Sequence, residues 1–159
     1  MSFDEGFVLG LALGKKKFSG GGGGDDWTYP SDWVQMPDPA SNQVIGVFDI
    51  TAGLTQNIDT QNYDGAMTID WGDGTVDTIP DGWMVSNHTY AAGTGTVTNN
   101  GSTQVMITIT APAARGYVSF TYREKIIAFK YGSGISPSGY FNNCKMLHYV
   151  KFFGAVPTD

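Results

Sequence analysis

The segment Thr68-Ile69-Asp70-Trp71-Gly72-Asp73-Gly74-Thr75-Val76 restricts what this chain can fold into more than any other. Met67, Ile69 and Trp71 alternate with Thr68 and Asp70, the two-residue period of a half-buried strand, and Gly72 and Gly74 can supply the positive backbone angles of a sharp turn. A β-hairpin is predicted. Further strands are predicted at Val44-Ile45-Gly46-Val47-Phe48-Asp49-Ile50, at Val105-Met106-Ile107-Thr108-Ile109 and over residues 116 to 122, whereas the polar stretch from Asn57 to Gly65 is predicted to be a loop. Many Thr, Val and Ile beside 22 glycines and seven prolines favour strands and turns over a helical bundle, so the expected class is mainly β. At 159 residues and 41% apolar, the chain has room for one packed domain with appendages.

His88-Thr89-Tyr90 follows the Trp71 turn, and the alternating Val105 strand follows that. This succession, Asp-Trp-Gly-Asp-Gly-Thr, then His-x-Tyr, then V-x-I-x-I, resembles the polycystic kidney disease (PKD) domain, an immunoglobulin-like β-sandwich, over roughly residues 43 to 111. The resemblance implies that Trp71 packs between two sheets, that Asp70 and Asp73 tie down the turn, that His88 and Tyr90 lie close to it, and that the domain serves as a spacer or adhesion module. After Tyr90 the pattern departs. The family's Gly-x-Tyr-x-Val is replaced by Gly93-Thr94-Gly95-Thr96-Val97, and Asn99-Asn100-Gly101-Ser102 reads as an insertion. Asp70, Asp73 and Asp77 lack the spacing of an EF-hand loop, so side chains bonding their own turn backbone explain them better than calcium does.

Residues 2 to 17 read as a short helix, with Ser2 as N-cap, Glu5 as its capping-box partner and Lys15, Lys16 and Lys17 in the last turn. Gly6, Gly10 and Gly14 fall on one face, beside a stripe of Phe3, Phe7 and Leu11. Each interior glycine costs a helix about 1 kcal/mol relative to alanine, so a smooth face for contact is the better reason for three of them. Residues 1 to 17 are therefore an expected assembly anchor, docking on a larger complex or on copies of the same chain. Five glycines, Gly20 to Gly24, make a flexible tether. Trp27, Tyr29 and Trp33 follow among prolines, which suits an extended segment wrapping a surface, with core-edge plugs favoured over sugar-stacking aromatics.

Towards the C-terminus, Ala128-Phe129-Lys130-Tyr131-Gly132-Ser133-Gly134-Ile135 aligns with Tyr149-Val150-Lys151-Phe152-Phe153-Gly154-Ala155-Val156 at an offset of 149 − 128 = 21 residues. That is the size of a leucine-rich-repeat coil. Between the copies, Gly139-Tyr140-Phe141-Asn142-Asn143-Cys144-Lys145-Met146-Leu147 resembles the turn of BspA-like leucine-rich repeats, adhesive solenoids of bacterial surface and phage proteins. Fewer than two repeats are present, too few for a free-standing solenoid, so the coils are expected to pack on the sandwich or on another chain. The expected division is thus an anchor at 1–17, a tether and aromatic segment at 18–42, a PKD-like sandwich at 43–122 and a repeat segment at 123–159.

Charge narrows the partners. Residues 18 to 114 carry eleven acids and no Lys or Arg, which disfavours nucleic acid there, and 115 to 159 carry six basic residues and two acids. The apolar run from Phe7 to Leu13 is too short to span a bilayer and has the reverse charge order of a secretory signal, so neither membrane insertion nor that export route is expected. A single cysteine, Cys144, forms no internal disulfide, and His88 and His148 each belong to a structural motif. No serine elbow, phosphate loop or zinc signature occurs, and Cys144 with His148 lacks a third orienting group. The expectation is a protein that is not an enzyme, with no cofactor and no metal. The order of parts resembles an accessory structural protein of a tailed-phage virion, in the capsid, neck, tail or baseplate, with a host-surface glycan or protein as a further partner. The alternative is a fragment of a bacterial cell-surface adhesin.

Overall fold

The computed structural model describes residues 29–62, 65–112, 117–120, 125–133, 136–137 and 148–152. The anchor residues Phe3, Gly6, Phe7, Gly10, Leu11 and Gly14, the glycine tether, Trp27, Cys144 and the repeat-like turn at 139–147 lie outside them. The strands are β1 (Gln43–Asp49), β2 (Thr55–Asn62), β3 (Met67–Asp70), β4 (Val76–Ile79), β5 (Gly82–Thr89), β6 (Thr96–Val97), β7 (Thr103–Thr110), β8 (Tyr117–Phe120), β9 (Ile126–Tyr131), β10 (Ser136–Pro137) and β11 (Tyr149–Phe152). The larger sheet runs β11-β9-β1-β7-β3-β4, with β6 also on β7, and the smaller runs β10-β8-β2-β5. The chain is mainly β with largely antiparallel sheets, and one core joins Val44, Phe48, Ile69 and Ile107 of the larger sheet to Ile58 of the smaller, consistent with a β-sandwich.

Strand β1 is buried along its whole middle because both of its faces are covered. Val44 and Phe48 enter the central core, whereas Ile45 and Val47 join Met36, Ile127 and Ala128 in a second cluster on the outer face. Tyr29, Trp33 and Val34 pack over that cluster, and the Gln104 side chain accepts a hydrogen bond from Val34 N–H at 3.0 Å. A strand buried on two faces needs a continuous apolar run, which is what Val44 to Phe48 supplies. Gly46 makes room at its centre, since a Cβ there would lie 2.5 Å from the Phe129 ring.

One sequence expectation changes. The stretch from Asn57 to Gly65, expected as a loop, is largely strand β2, which pairs with β5 from Thr55↔Thr89 to Asn62↔Gly82. Its inward positions are Gln56, Ile58 and Thr60, so polar residues occupy two of three core-facing places and the apolar alternation that marks a strand is missing. Residues Asn99 to Ser102, read as an insertion, form the tight turn joining β6 to β7, with Ser102 O accepting from Thr98 N–H at 2.9 Å.

After β7 the direction of pairing changes. Strand β10 runs parallel to β8 in the smaller sheet, and β11 runs parallel to β9 in the larger one. The β9–β11 register pairs Ala128 with Tyr149 and continues to Tyr131 with Phe152, the same 21-residue offset as the internal sequence repeat.

Candidate functional site

The turn between β3 and β4 gathers several chemistry-bearing side chains. Trp71 is fully buried, and its N–H donates to Thr75 O at 3.0 Å, closing the hairpin. Gly72 and Gly74 adopt φ of 81° and 91°, and a Cβ on Gly72 would lie 2.1 Å from Met106 O, so this position excludes every other residue twice over. Asp70 accepts from Gly72 N–H at 2.9 Å and Asp73 from Thr75 N–H at 3.0 Å, as turn-binding carboxylates do.

Strand β5 delivers His88 onto this turn. Its ring stacks on Trp71 at 4.9 Å with 17° between planes, and its Nε2 meets Asp73 Oδ2 at 2.8 Å. Tyr90, which follows β5, meets His88 edge-on at 4.6 Å, and its hydroxyl donates to Trp71 O at 3.0 Å. Trp71, the two glycines, Asp70, Asp73, His88 and Tyr90 therefore form one interlocked cluster that ties the larger sheet's hairpin to the smaller sheet's edge strand. Asp77, one of the three considered for calcium, accepts from the Trp71 indole N–H at 2.8 Å, a contact across the hairpin that sequence spacing does not suggest.

Desolvation is the largest influence on the Asp73 carboxyl and pushes its pKa up, but hydrogen bonds from Thr75 and His88 and the His88 charge together carry it below the ordinary 3.8. Burial first, then the Asp73 and Asp70 charges, push the Tyr90 phenol well above its ordinary value. These are the shifts of an anion held by donors and of a phenol kept neutral. Each titratable group in the cluster already has a partner within the turn, so its residues act as a clamp between strands.

Elsewhere, a pocket of about 110 Å³ lies beside Tyr29, Gln35, Met36 and Lys130, well below the roughly 300–1,000 Å³ of ordinary ligand sites. Lys130 Nζ there donates to Met36 O and Asp38, each at 2.8 Å. Among the described residues no group of three His, Cys, Asp or Glu side chains can hold a metal ion, and no helix is long and apolar enough to cross a membrane. His148 meets Trp33 edge-on at 5.4 Å, while Cys144 lies outside the described residues. Sequence reasoning overlooked Trp83, Met84 and Val85 of β5, three consecutive large apolar residues that are 73%, 42% and 52% exposed. Their composition signals a strand, but only the sheet order shows that the strand lies at an edge.

Compared with protein-family models, with curated proteins and with solved structures, the chain finds no match.

Proposed function

We propose that this chain is a non-enzymatic structural and display protein, anchored by residues 1 to 17 and projecting a PKD-like, immunoglobulin-type β-domain, in the setting of a tailed-phage virion. The observation that carries this reading is the clamp: Trp71, Asp73, Asp77, His88 and Tyr90 are all engaged in holding the β3–β4 hairpin together and to β5, which suits a rigid spacer. The parallel pairing of the two repeat copies at their sequence offset supports a leucine-rich-repeat-like segment extending that spacer. The same pairing also favours the second reading, a piece of a bacterial surface adhesin.

In the anchor, Gly6, Gly10 and Gly14 admit a neighbouring backbone, and the same partner covers Phe3, Phe7 and Leu11. Burying three such side chains supplies roughly 5–8 kcal/mol before ordering costs, enough to couple folding of the segment to docking. Gly10→Leu is expected to abolish incorporation into purified particles while leaving the melting of the β-domain unchanged. Normal incorporation of that variant, or of a chain starting at Asp25, would remove the anchor.

A further inference from the structure

Strand β5 ends the smaller sheet, and no described strand pairs with its outer side. Tyr90 N–H donates to Leu54 O in the same register as the β2–β5 ladder. Directly opposed residues of an antiparallel ladder alternate between bonded and non-bonded pairs. Gly82, Met84, Ser86 and His88 therefore turn their backbone groups towards β2, and Trp83, Val85 and Asn87 turn theirs outward.

Edge strands are ordinarily guarded by a lysine, a proline or a bulge. Strand β5 has none of these: its register with β2 is unbroken over eight pairs, and Gly82–Thr89 contains neither Lys nor Pro. It instead presents Trp83, Met84 and Val85 to solvent. The stretch of chain that leads into and forms β5 carries charge of one sign. From β3 to the end of β5 the chain carries Asp70, Asp73, Asp77 and Asp81 with no Lys or Arg, and Asp59 sits opposite Val85 across the ladder.

We propose that β5 is a docking edge that accepts an extended, basic peptide segment of a partner protein as an added antiparallel strand. Main-chain bonds to Trp83, Val85 and Asn87 supply the pairing, the exposed apolar side chains give purchase to alternate residues of the incoming strand, and its Lys or Arg residues meet the aspartates outside the clamp, Asp81 immediately before the strand and Asp59 across the ladder. A second copy of this chain fits less well, because edge-to-edge pairing would bring two sets of those aspartates together. The proposal concerns a partner of the display domain and holds whether or not residues 1 to 17 are an anchor.

The test uses the full chain, isotopically labelled, with a synthetic octapeptide alternating valine and threonine and carrying two lysines, against the same peptide carrying two glutamates. The lysine peptide is expected to slow amide exchange at Trp83, Val85 and Asn87 at least tenfold, and the glutamate peptide to leave it unchanged. Val85→Pro removes one outward N–H without touching the bonds to β2, a place where edge strands tolerate proline. It should keep the parental Tm and weaken peptide binding at least tenfold, and Val85→Lys should weaken it likewise by repulsion. The proposal is overturned if the lysine peptide gives no protection, if both Val85 variants bind it as the parent does, or if the glutamate peptide binds equally well. Protection that grows with protein concentration alone would assign the edge to a second copy and overturn it too.

Discussion

The outer faces of the two sheets meet solvent in opposite ways. On the larger sheet, Ile45, Val47 and Ala128 lie beneath Tyr29, Trp33 and Val34, so β1 is inaccessible from either side. On the smaller sheet, Asn57, Asp59, Asn87 and Thr89 line the outer rows, and the apolar residues among them, Trp83 and Val85, stand exposed at the edge. One face is closed by the chain's own upstream segment, and among the described residues of β2 and β5 the other is polar except for Trp83 and Val85. If β5 is the docking edge proposed above, recognition is drawn from the less protected edge of the fold.

That contrast can be broken in graded steps. Trp71→Ala, which empties the centre of the clamp, should cost about 3–5 kcal/mol in denaturant unfolding, the usual loss for a large buried aromatic. A parental midpoint in that variant would remove Trp71 from the core. Trp33→Ala, on the covered face, should cost about 1–2 kcal/mol, since its ring is half-buried against the outer cluster. If its stability equals the parent's, the upstream segment does not hold that face closed.

Acid should act through Asp73. Its folded-state pKa lies below the ordinary 3.8, so its contribution is fully present above that value and is lost as pH falls through the lowered one. Melting between pH 5 and 2 is expected to show a steeper acid loss in the parent than in Asp73→Asn, in which the group no longer titrates. Equal slopes would mean that the carboxylate contributes nothing to holding the turn. The smallest effect belongs to the open edge: Trp83→Ala should change stability by less than about 0.5 kcal/mol, as surface substitutions usually do. A larger loss would show that Trp83 packs on the fold.

The hairpin was legible because its determinants are local. Alternation at Met67, Ile69 and Trp71 and two glycines in three positions specify it without reference to the rest of the chain. Strand β1 was legible for the opposite reason, since a run apolar on both faces announces burial. Strand β2 was hidden because Gln56 and Thr60 point inward in place of the apolar residues that pattern reading requires. The clamp was half legible: the approach of His88 and Tyr90 to the turn came with the family resemblance, but the Asp77 bond to Trp71 depends on cross-strand register. The edge position of β5 is a property of sheet order, and strand order joins residues too distant in sequence for local patterns to reveal.

Residue-resolved amide exchange on the unbound chain tests the contrast between the faces most directly. The amides of Val44, Gly46 and Phe48, bonded within the covered sheet, should exchange slowest, near the rate set by global unfolding. Along β5, exchange should alternate, with Met84 and Ser86 protected by β2 and Trp83, Val85 and Asn87 fast. Uniform protection along β5, or exchange at β1 as fast as at Trp83, would contradict the account.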